Sequence, residues 1–351
     1  MTRVVGIDPG TVSIDICGIA DGQLYLDRSW PTEDALARPQ ELIELLCHPD
    51  PPELVTGPSG YGLPLQPAAG VSETDLRLAF LAAPDEPGGL AGLRGFARRL
   101  GESGLPVVYT PGVIHLDTVP DYRKVNRVDM GTADKVCAVV LGIQEYCGRR
   151  DCMATRASFI LLELGGAFTA GVAVEGGQIV DGVGGTSGPI GWHAAGALDG
   201  EVAFLAGSIS KRDLFQGGVS SLAERGPGAG ELAARAYLEG AAKAVRQLRC
   251  SAPSADEVLL SGRNAARPEI QSWLTAELRD IGPVRPLAGF AARTKHGAQG
   301  AALLADGLAG GAQRALVERL RVREAKGTVL DHLVFISPEA ARRRLGIAVN
   351  E

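Results

Sequence analysis

Residues 4–26 read VVGIDPGTVSIDICGIADGQLYL, and residues 159–181 read FILLELGGAFTAGVAVEGGQIVD. Aligned at a constant offset of 155 positions and without a gap, Asp8 falls on Glu163, Gly10 on Gly165, and Gly22-Gln23 on Gly177-Gln178. A repeat of this kind decides architecture before any single motif does. Most positions between the matched residues are β-branched or apolar, so each copy spells strand, glycine turn, strand, short turn, strand. The product is a β-meander with a carboxylate at the end of its first strand. Glycine in the first turn lets the main chain approach an anion closely, as phosphate-binding nests do. Two such turns in duplicated halves are expected to face one another and clamp one polyphosphate.

Outward from the first meander, hydrophobic periodicity predicts a helix over Glu33 to Cys47, a strand at Leu54 to Thr56, a helix from Leu90 to Leu100, a strand at Val107 to Tyr109 and a helix from Gly131 to Tyr146. The second half repeats the sense. Its meander is followed by an Ala-rich helix from about Glu231 to Arg249, a strand at Val258 to Leu260, and helices near Glu269 to Leu278 and Ala298 to Leu308. Alternating strands and helices imply α/β domains with helix-covered, partly parallel sheets. The expected division is a first domain over 1–150 with an irregular insertion at about 64–89, rich in Pro, Gly and Ala. A second domain follows over 151–311, then a helical tail over 312–351 packed on the body through Leu316, Val317 and Leu320.

Composition narrows the class. The 351 residues are 45% hydrophobic and 22% charged, which excludes a disordered chain and gives room for two ordinary domains. The formal charge of −6 provides no whole-protein positive field for DNA or RNA, so no nucleic-acid partner is expected. No apolar run approaches the roughly 20 residues of a membrane span, so the reading is a cytoplasmic protein without a membrane partner. Six cysteines without a Cys-x-x-Cys pair fit reduced thiols better than a zinc site or a disulfide framework.

Three motifs together carry a family resemblance: GIDPGT at 6–11, LELGGAFTAGVAVEGGQIVD at 162–181 and EVLLSGRNA at 257–265. In order and spacing they resemble the two phosphate motifs and the adenosine motif of the acetate-and-sugar-kinase, actin and heat-shock-chaperone ATPase superfamily. The stretch from Gly165 to Leu198 looks like the acetate and butyrate kinase branch, and the whole chain is most similar to the family labelled predicted butyrate kinases. The resemblance implies duplicated ribonuclease-H-like, actin-like ATPase domains, each a mixed sheet flanked by helices, with a central nucleotide cleft and domain closure during turnover. It implies ATP and Mg²⁺ as cofactors.

By that resemblance Asp8 orients the metal through water, with Glu163 as a second acidic group at the metal, and the backbone at Gly10 and Thr11 contacts the transferred phosphate. Gly165, Gly166 and Ala167 hold the other side of the triphosphate, and Gly262, Arg263 and Asn264 lie under the adenine and ribose. Such a division suits phosphoryl transfer, which asks the protein mainly for positioning and charge neutralisation. One departure stands out. Acetate and butyrate kinases carry a histidine before the second Gly-Gly pair, where this chain has Glu163.

Further candidates come from the residues themselves. Ser59, Gly60 and Tyr61 follow a strand in a dense turn and are candidates for an acceptor pocket; a plain surface turn is the alternative. In the charged run 121–135, Lys124, Arg127 and Lys135 are candidate phosphate neutralisers, and Asp129 and Asp134 candidate bases or holders of metal-bound water; helix capping and salt bridging explain the same residues otherwise. His193 is a candidate at the acceptor or a packed histidine. The expected activity is transfer of the γ-phosphate of ATP to a small carboxylate. The alternatives are a kinase of a hydroxyl acceptor and a nucleotide-binding switch without turnover; a small-molecule acceptor is the expected partner and a homodimer is left open. The opening GIDPG also occurs in resolvase-like nucleases, against which the second glycine hairpin and the negative charge argue.

Overall fold

The computed structural model describes residues 2–10, 12–47, 50–57, 60–82 and 89–348. They divide into two compact units, one of Met1–Val128, Thr132–Ala154 and Ala288–Glu351, the other of Asp129–Gly131 and Thr155–Leu287.

In the first unit, β1 (Arg3–Pro9), β2 (Ser13–Ala20), β3 (Gln23–Pro31), β4 (Leu54–Gly57), β5 (Gln66–Pro67) and β6 (Val107–Tyr109) form a six-stranded sheet in the order β3-β2-β1-β4-β6-β5. The meander is antiparallel, while β4 joins β1 and β6 joins β4 in parallel. Such joins need crossovers, and helices supply them. Val4, Val5 and Ile7 in β1 and Ile14, Ile16 and Ile19 in β2 are all at most 3% exposed, which explains why these strands read as nearly continuous apolar runs.

In the second unit, β7 (Phe159–Leu164), β8 (Thr169–Glu175), β9 (Gln178–Val183), β10 (Val258–Ser261) and β11 (Val284–Pro286) form a five-stranded sheet ordered β11-β10-β7-β8-β9. The path is that of the first sheet: two hairpins, then parallel strands on the other side of the first strand. The repeat extends to irregularities. The register shift between Gly18 and Ile19 recurs between Ala173 and Val174, 155 positions on. The first turns close alike, with Gly10 N–H donating to Ser13 O at 2.9 Å and Gly165 N–H to Phe168 O at 3.0 Å.

Several expectations are corrected. The single helix over Glu33 to Cys47 is two, Thr32–Ala37 and Pro39–Cys47, because Arg38 precedes proline and leaves the helical region at φ −133°. The region 64–89 is less irregular than its composition suggests: Glu73–Phe80 is a helix, started by a reciprocal capping box between Ser72 and Asp75 and buried through Leu76, Leu78, Ala79 and Phe80. Between the tail helices Arg314–Leu320 and Pro338–Arg344 the chain is largely non-helical, while Leu316, Val317 and Leu320 are buried as expected.

The largest correction concerns the boundary at 151–311. Residues from Ala288 onward belong to the first unit, because the helix His296–Leu308 packs on β1 and on the helix Ala133–Arg150. That packing is at backbone distance. A Cβ on Gly6 would lie 2.1 Å from Ala302 N, and one on Gly300 would lie 1.8 Å from Cys137 O. Buried side chains Ala298, Ala301 and Ala302 complete the seam, and Thr56 Oγ1 donates to Ala301 O at 2.7 Å.

Gly300→Ala is accordingly expected to destabilise the chain by about 2–3 kcal/mol in urea denaturation, since overpacking a rigid backbone contact has that cost. Gly148→Ala, on an exposed helical position with nothing within 4 Å of the added methyl, should instead gain a few tenths to about 1 kcal/mol.

Candidate functional site

The end of β1 gathers three carboxylates and two lysines within the first unit. Asp8 and Asp15 are direct cross-strand partners of β1 and β2, so their side chains stand on the same face. Lys295, the residue before the helix His296–Leu308, brings its Nζ to 2.9 Å from Asp15 Oδ2 and 4.0 Å from Asp8 Oδ2, and donates to Ser13 O at 3.0 Å. Ser13 Oγ also donates to Asp15 Oδ2, at 2.7 Å. The ammonium lies over the glycine turn, where a Cβ on Gly10 would meet it at 2.5 Å. Asp134, in the first turn of the helix Ala133–Arg150, accepts from Thr132 Oγ1 and Lys135 Nζ. Gly297 closes the cluster: a side chain there would sit 2.6 Å from Asp8 Oδ2 and 3.3 Å from Asp134 Cβ.

Burial sets the electrostatics. Asp8 is 6% exposed, and its carboxyl is pushed up to about 6 by desolvation, partly offset by the Lys295 ammonium and reinforced by Asp134. At Asp134 desolvation also works against the charge, but Lys135, Thr132 and Lys295 outweigh it and hold the carboxyl below its ordinary value. Lys295 is likewise desolvated, and Asp8 and Asp15 more than compensate, so its pKa is raised and it stays charged.

Among the sequence candidates, Asp8, Gly10, Asp134 and Lys135 thus come together. Asp15, Lys295 and Gly297 were missed. Asp15 carried a signal, an acidic residue in the apolar run Ser13–Ala20 directly across the turn from Asp8; Lys295, 280 positions away, carried none. Thr11 and Ser59 lie outside the described residues. Gly60 O accepts from Ala133 N at 3.1 Å and so pins the helix start beside Asp134, whereas Tyr61 N donates to Ala79 O at 2.8 Å, in the helix Glu73–Phe80. Lys124 is buried and donates to Leu116 O at 2.9 Å, which makes it a structural residue rather than a phosphate neutraliser.

In the second unit the second glycine turn and the expected adenosine motif are neighbours. Asn264 Nδ2 donates to Gly165 O at 2.8 Å, and Gly262, at φ +91°, leaves only 2.5 Å between an added Cβ and Leu164 O. Glu163, the penultimate residue of β7, pairs with Ser261 of β10 and is half-buried, while Arg263 is exposed. Ala167 O accepts from the backbone N–H of His193 at 3.0 Å, which seats His193 on this turn with its ring exposed and Nδ1 2.9 Å from Ser220 Oγ. Gly166 has open space around it.

Two expected roles change. The N–H groups of Gly10 and Gly165 close their own hairpins and are not spare donors for phosphate. Asp129 belongs to the second unit, where Oδ2 accepts from Thr186 N at 2.9 Å and Thr186 Oγ1 at 3.0 Å and Oδ1 from Gly131 N at 3.2 Å, so its carboxylate clamps the glycine loop.

Among the described residues no group of three or more His, Cys, Asp or Glu side chains is placed to hold a metal. Mg²⁺ usually keeps several waters and takes one or two carboxylates plus substrate phosphates, so a buried Asp8 whose partner is one ammonium at 4.0 Å fits that ion through water rather than as a cage. No helix among the described residues is long and apolar enough to cross a membrane.

Two duplicated mixed sheets flanked by helices, each opening on a meander with an acidic residue before its glycine turn, define the actin-like ATPase fold. Solved structures agree. The chain is similar to a propionate kinase from Francisella tularensis subsp. tularensis SCHU S4 (TM-score 0.61, 13% identity, 86% of this chain and 98% of that one). It is also similar to acetate kinases from Entamoeba histolytica (0.58, 12%, 80% and 87%) and Porphyromonas gingivalis (0.55, 13%, 80% and 88%). The chain belongs to the family described as "Protein of unknown function (DUF1464)", matched over residues 6–335. No curated protein matches it.

A charge buried at a cost leaves a measurable trace. Because the folded pKa of Asp8 lies above the ordinary 3.8, the folded chain binds more protons than the unfolded one between those values, and stability falls as pH rises through them. A shift of about two units corresponds to about 3 kcal/mol. Asp8→Asn should therefore unfold at higher denaturant than the parent at pH 8, with the advantage shrinking between pH 6 and pH 4; an equal advantage at all three pH values would remove the buried charge as its cause.

Proposed function

We propose that this chain is an ATP-dependent kinase that phosphorylates a small carboxylate, similar to the family labelled predicted butyrate kinases. The observation that carries it is the Asp8–Asp15–Lys295 group at the first glycine turn: a buried carboxylate fit for a hydrated divalent cation, and an ammonium anchored by a second carboxylate so that it stays charged beside it. The fold shared with acetate and propionate kinases supports the reading.

A bound magnesium nucleotide supplies the phosphoryl group and spreads the charge of its triphosphate. The residues do the rest. Asp8 would hold a hydrated Mg²⁺ through water, and loss of its proton, which burial delays to about pH 6, would set the acidic limb of activity. Lys295 offers a fixed positive charge over the turn, the role for which the Gly10 N–H is already engaged. Lys135 pairs with Asp134 and balances its charge beside Asp8. Glu163, where a histidine would stand in the acetate kinase branch, favours a hydroxyl acceptor as the second reading, because a carboxylate can take a proton from an alcohol but a carboxylate acceptor has none to give.

With acetate, propionate or butyrate and Mg-ATP, acyl phosphate trapped as the hydroxamate should form, and ADP release should need the acid. Asp8→Asn should lose at least about 100-fold in kcat, and Lys295→Met about 10- to 100-fold. Undiminished turnover in Asp8→Asn would overturn the mechanism, and ADP release with sugars or polyols but no acid would transfer it to the second reading.

A further inference from the structure

Residues 288–295 lead into the helix His296–Leu308 without forming helix or strand, yet every one of their N–H groups donates to a side chain of the first unit. Ala288 N and Gly289 N donate to the two oxygens of Glu145, at 3.2 and 2.6 Å. Phe290 N and Ala291 N donate to Gln299 Oε1, at 2.7 and 3.2 Å. Asp27 takes the next stretch: Oδ2 accepts from Ala292 N at 3.1 Å and Arg293 N at 3.0 Å, and Oδ1 from Thr294 N at 2.9 Å. Lys295 N ends the run on Asp15 Oδ1, at 3.4 Å.

An irregular segment ordinarily turns its backbone donors to water or to its own carbonyls, which leaves its path loose. Here the path is dictated by side chains of β2, β3 and the helices Ala133–Arg150 and His296–Leu308. Asp27 holds the part nearest the carboxylate cluster. Asp8 pairs with Asp15 across β1 and β2, and Cys17 pairs with Asp27 across β2 and β3, so the three aspartates lie on one face of the sheet, on adjacent strands. Desolvation works against the charge of Asp27, but the N–H bonds from Thr294 and Arg293 outweigh it and hold its carboxyl below the ordinary value. Hydrogen bonds to such an ionised acceptor are the strong kind.

A lysine needs this support. Its ammonium ends a flexible four-carbon stem, so it stays at one spot only if the backbone that carries it is fixed. The Lys295 side chain is 40% exposed, and solvent competes for its head. Asp15 grips the ammonium at 2.9 Å, Asp27 grips the residues just before it, and the buried Gln299 donates Nε2 to Thr294 O at 2.7 Å.

We infer that Asp27 is a positioning residue of the proposed phosphotransfer: by holding the N–H groups of Ala292, Arg293 and Thr294 it sets the backbone of Lys295 so that the ammonium lies over the first glycine turn. Asp27 itself touches neither Asp8 nor that turn. The inference rests on the role given to Lys295 in the proposed function.

The test is a double-mutant cycle on the full chain with a second readout that needs no turnover. Asp27→Ala should lower kcat at least about tenfold, more than it changes the KM for the acid, because misplacing a charge by about 1 Å has effects of that size. Asp27→Asn, which keeps one acceptor oxygen, should lose less. In a Lys295→Met background Asp27→Ala should cost less than about twofold, since residues that act through one another are not additive. Independently, acetylation of Lys295 by an activated ester, followed by mass spectrometry against Lys135 as internal reference, should speed up at least about fivefold in Asp27→Ala, because each lost bond to a charged acceptor is worth more than that factor. Should Asp27→Ala fail to fold, Asp27→Asn carries the same comparisons. An equal loss of kcat with and without Lys295 would make Asp27 a support of the fold alone and overturn the inference, as would an unchanged rate of Lys295 acetylation. A parent chain without turnover on any acceptor would overturn the proposed function instead, so the two failures are read separately.

Discussion

The first unit depends on a contact without side chains. The helix His296–Leu308 reaches β1 at Gly6 and the helix Ala133–Arg150 through Gly300, in both places at distances where a methyl group would strike backbone. Close approach of this kind fixes three elements in one register, because neither partner can slide without meeting a carbonyl or an amide. The same approach carries Lys295 and Gly297 to the end of β1 and buries Asp8. The position of the charges thus follows from the absence of side chains a turn or two away.

Within that frame the electrostatics are a matter of pairing. Three carboxylates would repel one another if left alone, and burial would drive them to protonate. Lys295 and Lys135 divide the work. Lys135 is bound to Asp134 and holds its carboxylate ionised, whereas Lys295 leans on Asp15 and stands a full 4.0 Å from Asp8. Asp8 is left with the weakest compensation and the raised pKa. Groups perturbed by burial beside specific charges are the ones that functional sites employ.

How much of this was legible depends on how local each feature is. The meanders were readable because a strand–turn–strand unit writes its apolar runs and its glycine in one stretch, and because the second copy repeats even the bulge at Ala173/Val174. Asp8, Gly165 and Asn264 stood out as motif positions and Asp134 as part of a charged run; Asp8 and Asp134 come together in the first unit, and Gly165 and Asn264 in the second. Lys295 was not, since its role arises from a contact across 280 positions, and an Ala- and Gly-rich helix does not announce which sheet it will cover. The helix Glu73–Phe80 was overlooked beneath a Pro- and Gly-rich composition although Ser72 and Asp75 spelled its start. The setting of Asp129 was hidden for a related reason: its partners, Thr186 and the glycine loop, lie more than fifty positions on.

The first unit is assembled from three separate stretches of chain, whereas the second is nearly continuous from Thr155 to Leu287. On the ribosome, β1 to β6 emerge early but their covering helix ends at Leu308, and at about 5–20 residues per second that leaves the nascent sheet waiting for some tens of seconds. Thr155–Leu287 can complete its own core first. The sheet made before its covering helix thus keeps the Gly6 face of β1 uncovered until residues 296–308 have been made.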